Sequence, residues 1–129
     1  MQNTIIFAAA FLVGLLWFRI IYLLVPGYFN KPFTRTKTKL AVHHLHFGII
    51  FVLIAALILL ADTANYFVFI FLGLGLGQIF DLFIPSLLIK RDRSAELKLY
   101  KATFPHTLIV AAAILAAAFF LAYLFNTGL

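Results

Sequence analysis

The run His43-His44-Leu45-His46-Phe47-Gly48 puts three imidazoles within four residues. Residues 43 and 46 are three apart, so on a helix both project from one face, while His44 points about 100° away. Two imidazoles at this spacing chelate a metal ion when another helix supplies further ligands. They also suit a proton relay, because imidazole gains and loses a proton near neutral pH. The plain alternative is a set of interfacial histidines that hydrogen-bond head groups and loops. A second constellation is Gly73-Leu74-Gly75-Leu76-Gly77-Gln78-Ile79-Phe80-Asp81. Gly73, Gly77 and Asp81 recur every four residues and share one helical stripe. Small residues at this spacing admit a second helix, which carries Asp81 into a helix–helix seam. Asp81 then serves as a metal ligand, a general base or an ion-path carboxylate. Otherwise it is neutralised by a salt bridge to Arg19. Arg19 has its own alternative, since its planar fork suits a phosphate or carboxylate head group. His106 follows Pro105, a residue well placed in a first helical turn. The candidate metal ligands are therefore His43, His46, Asp81 and His106, for a divalent ion such as zinc or iron. Asp81 and Arg19 are the candidates for catalysis.

These residues need elements to hold them, and the composition says which. Of 129 residues, 65% are hydrophobic and 11% charged, with a mean hydropathy of +1.11. Soluble domains run about 45–50% apolar and about 25% charged. A chain this short leaves much of its surface exposed, so it has nowhere to hide such an excess in water. A water-soluble enzyme, a disordered chain and a disulfide scaffold are excluded. The lack of cysteine excludes thiolate chemistry, Cys-ligated zinc, Fe–S clusters and covalent haem. Four stretches approach the roughly 20 apolar residues that cross a bilayer. They run from about residues 5–25, 42–61, 66–89 and 105–125. Their apolar runs are continuous rather than alternating, which favours helices over a barrel. The expected fold is an all-α integral membrane protein, one domain over residues 1–129, with four transmembrane helices in a compact bundle. The first four residues carry no Lys or Arg, so the first stretch reads as a true helix rather than a signal peptide.

Charge sets the expected orientation. Lys31, Arg35, Lys37 and Lys39 lie between the first two spans. Lys90, Arg91, Arg93, Lys98 and Lys101 lie between the last two. Arg19 is the one basic residue elsewhere. The positive-inside rule then puts both long loops in the cytoplasm and both termini outside, as in a plasma or inner membrane. Within the second long loop, residues 91–101 interleave Leu97, Leu99 and Tyr100 with charges, as a short interfacial helix would. The net charge of +6 fits attraction to anionic head groups better than binding to nucleic acid. On a rise of about 1.5 Å per residue, each span brings an ionisable group to the cytoplasmic half. The outer half has none beyond Asp62 in its loop.

Three chemical readings follow. The first is a His/Asp metal site in the cytoplasmic half, with metal-assisted chemistry on a lipid or isoprenoid head group. The second is an oligomeric channel or transporter for protons, cations or metal ions. The third is a haem held by two histidines, one of them His106. A non-catalytic subunit or scaffold, with membrane lipids or a second copy as partners, fits the same composition.

Overall fold

A computed structural model of the chain describes residues 1–25, 44–61, 65–88 and 93–127. The described residues form five helices and no strand. They are α1 (Gln2–Leu24), α2 (His44–Ala61), α3 (Tyr66–Leu87), α4 (Arg93–Ala102) and α5 (Phe104–Thr127). Four of them, all except α4, are long and apolar enough to cross a membrane. The short helix expected between the last two spans is α4. Asn65 starts α3: its side-chain oxygen accepts from the Phe67 N–H at 3.0 Å and satisfies an otherwise orphaned donor.

Glycine decides which faces meet. A Cβ added at Gly73 would lie 2.6 Å from the Phe7 carbonyl oxygen and 2.9 Å from the Phe11 nitrogen. One at Gly77 would run into the Phe11 carbonyl oxygen and the Leu15 nitrogen. Both glycines therefore let the α1 backbone lie directly on α3, as their spacing predicts. Gly75 faces the other way. A Cβ there would lie 2.7 Å from the Gly48 carbonyl oxygen, and one at Gly48 would lie 2.8 Å from that of Gly75. Helix α3 is thus clasped between α1 on one side and α2 on the other.

Helix α5 closes the third side by a narrower strip. Phe11 and Leu15 of α1 are fully buried, and Ala111 of α5 is nearly so. Leu76, Phe80, Ile114 and Leu115 pack around them. Ala112, Ala113, Ala116 and Ala117 of α5 have the four-residue spacing of a close-packing face, yet they are exposed. Ala111 takes the contact with α1. The apolar residues left outside, such as Leu57, Leu60, Ile109 and Phe120, are what a bilayer would solvate.

Candidate functional site

All five helices send a group to one polar centre. It lies near the ends of α1 and α3 and the starts of α2 and α5, beside α4. Asp81 of α3 is fully buried, and Arg19 of α1 is 6% exposed. The Arg19 Nε–H donates to Asp81 Oδ1. A buried charge is tolerable only when it is paired and hydrogen-bonded, so this ion pair is the condition for either residue to be there. The other carboxylate oxygen, Oδ2, accepts from the Tyr100 hydroxyl of α4 at 2.5 Å. His44 of α2 places Nε2 3.0 Å from the same oxygen. A carboxylate only accepts, so this nitrogen carries the proton and donates it to Asp81.

The backbone explains why Arg19 fits so well. Pro85 sits four residues after Asp81 within α3 and has no N–H to give to the Asp81 carbonyl. Arg19 Nη2 donates to that carbonyl oxygen instead, at 3.2 Å. Nη1 donates to the carbonyl oxygen of Tyr100 at 2.9 Å, in the last turn of α4, where helix carbonyls lack internal donors. Cations are favoured at that end of a helix dipole. Nη2 also reaches the Thr107 hydroxyl of α5 at 3.4 Å. The guanidinium carbon lies 4.1 Å from the Tyr100 ring centre and 4.5 Å from that of Phe104, a cation–π sandwich. All three nitrogens of Arg19 thus donate to groups of this chain.

His44 is held by its ring faces as well as by Nε2. Phe18 of α1 stacks on it, with ring centres 4.3 Å apart, and Tyr100 meets it edge-on at 6.3 Å. Burial pushes the Tyr100 phenol far above its ordinary range, and the charge of Asp81 and its hydrogen bond push the same way. An unfolded tyrosine ionises near pH 10. Above that pH the folded chain therefore keeps a proton that the unfolded chain has lost, so stability falls as pH rises further. An ultraviolet titration of tyrosinate to about pH 11 should accordingly give the same amplitude in wild type and in Tyr100→Phe. A drop by one tyrosine's share in the variant would show that the phenol ionises freely.

Of the residues singled out by sequence, Arg19 and Asp81 meet as a buried pair. His46 and His106 are exposed, and His43 lies outside the described residues. The histidine that reaches Asp81 is His44, at the position between the two expected ligands. Among the described residues, no group of three or more His, Asp or Glu side chains is placed to hold a metal ion. Tyr100 and Thr107 complete the centre without having been expected there. Any comparison outward stops at this geometry: the chain matches no family model, no curated protein and no solved structure.

Proposed function

We propose that this is an integral membrane protein that handles protons, and that His44 is the group that takes and releases them. One observation carries the reading. A fully buried carboxylate is held on Oδ1 by Arg19 and on Oδ2 by Tyr100, and the same Oδ2 meets His44 Nε2. A carboxylate behind an imidazole fixes which ring nitrogen bears the proton and stabilises the imidazolium when it forms. Asp81 is the positioning residue in this account, Arg19 and Tyr100 hold Asp81, and the second ring nitrogen of His44 is the one that exchanges. With both long basic loops in the cytoplasm, the centre opens toward that side of a plasma or inner membrane. Four spans are few for a path of its own, so the working form is an oligomer. The exposed alanines of α5 give such an assembly a surface for close contact.

The metal reading has less behind it. Arg19 lies against the carboxylate that a zinc or iron ion would need, and His46 and His106 turn outward. Haem binding through His106 finds no buried imidazole opposite it among the described residues.

The test is proton entry into liposomes that carry the purified protein, an acid-side gradient and a trapped pH dye. Wild type should acidify the lumen faster than empty vesicles, and His44→Gln should return the rate to that leak. Wild-type vesicles no faster than empty ones would overturn the reading. Stoichiometric zinc or iron lost in His43→Ala, His46→Ala would restore the metal site, and a Soret band would restore haem.

A further inference from the structure

The seam between α2 and α3 continues past the centre toward the middle of the span. His44 and Gly48 are four apart on α2, and Asp81 and Gln78 are three apart on α3, so they form successive rungs of one antiparallel seam. At the second rung the backbones nearly touch. A Cβ at Gly48 would lie 3.2 Å from the Gln78 Cβ and 2.8 Å from the Gly75 carbonyl oxygen. Gln78 is 7% exposed, and its Oε1 is fully buried with no hydrogen-bond partner among the described residues. An amide oxygen buried without a donor is costly, most of all where lipid offers none. The donor that satisfies it must be small, because α2 and α3 pack too closely around Gly48 to admit a side chain. It must also be neutral, because the nearby charge of Asp81 is already matched by Arg19.

We propose that Gln78 Oε1 binds a water molecule beside the α2–α3 seam, and that this water is the proton-exchange partner of His44. The second half of the claim rests on the proton-handling reading; the water site does not. In the exchange an N–H bond of the imidazolium breaks, and an O–H bond forms on a lone pair of the water. The neutral ring keeps its Nε2–H on Asp81. Gln78 is a positioning residue here, since it acts by holding the water. It also explains why a glutamine stands one turn inside the ion pair in an otherwise apolar helix.

Water-edited solid-state NMR on the full chain in lipid bilayers tests the site. Magnetisation from water protons should reach the Gln78 side-chain amide as fast as it reaches the His44 ring. It should reach the backbone amides of buried Ala55 and Val68 far more slowly. A Gln78 amide as slow as those two would overturn the water site. Gln78→Met keeps the length and removes the acceptor, and Gln78→Glu keeps an acceptor. In liposomes Gln78→Met should lose proton entry while its His44 ring signals stay at wild-type positions, and Gln78→Glu should retain entry. Undiminished entry in Gln78→Met would overturn the exchange role. Wild-type vesicles without proton entry would instead count against the reading of His44, and the NMR result would still decide the water.

Discussion

Arg19→Met and Asp81→Leu should each destabilise the protein by about 3–5 kcal/mol, because each leaves the other charge buried without its partner. The two losses should differ. Arg19 supplies donors to the Asp81 side chain, the Asp81 carbonyl, the Tyr100 carbonyl and Thr107 at once. Arg19→Met should therefore be the worse of the two. The double variant should lose much less than the sum of the singles, with a coupling of up to about 3 kcal/mol. It should still fall short of wild type, because the Asp81 carbonyl freed by Pro85 remains without a donor. Equilibrium unfolding in mixed micelles over increasing dodecyl sulfate measures all three. Additive losses would show that the two side chains do not depend on each other.

Gly77→Val should be the most damaging change away from the charges. Its Cβ would run into the Phe11 carbonyl and the Leu15 nitrogen, which are backbone atoms and have no rotamer in which to escape. Overpacking of this kind costs about 1–3 kcal/mol, occasionally more. The separation of α1 from α3 also acts at a distance. Gly77 lies one turn from Asp81, so a wider seam draws Arg19 away from its partner. Ala56→Val on the exposed face of α2 adds the same kind of bulk with nothing in the chain to meet, and should stay within about 0.5 kcal/mol of wild type. The same micelle titration compares the two. Equal losses would mean that the close approach of α1 and α3 is not what the glycines provide.

Much of this was legible in the residues. Apolar length marked the four long helices to within a few positions, because a continuous apolar run needs a helix to satisfy its backbone. The spacing of Gly73, Gly77 and Asp81 placed the acid in a seam, and Arg19 was the only basic residue within reach of it. The choice of histidine was harder to see, although a signal was present. Gly48 is the residue that packs on α3, and its neighbour one turn back is His44, which shares its stripe, rather than His43 or His46. Spacing between the histidines alone points to His43 and His46 instead. Pro85 carried a second signal, since a proline four residues past an acid frees that acid's carbonyl and calls for a donor. Tyr100 had none. It stands on a short helix among charges, and its reach to Asp81 depends on how α4 docks against the bundle. Thr107 was equally silent, because a small hydroxyl residue near a helix start usually bonds a carbonyl one turn back, as this one also does to that of Thr103 just before α5.

The central claim is that Asp81 holds the His44 ring with its proton on Nε2. Nitrogen NMR of histidine-labelled protein in bilayers reads this directly, because protonated and bare ring nitrogens differ widely in shift. In wild type the His44 Nε2 should appear protonated and hydrogen-bonded. In Asp81→Asn that preference should disappear, while the exposed His46 and His106 stay as they were. A His44 ring that samples both tautomers in wild type, or that is indifferent to Asp81→Asn, would contradict the account.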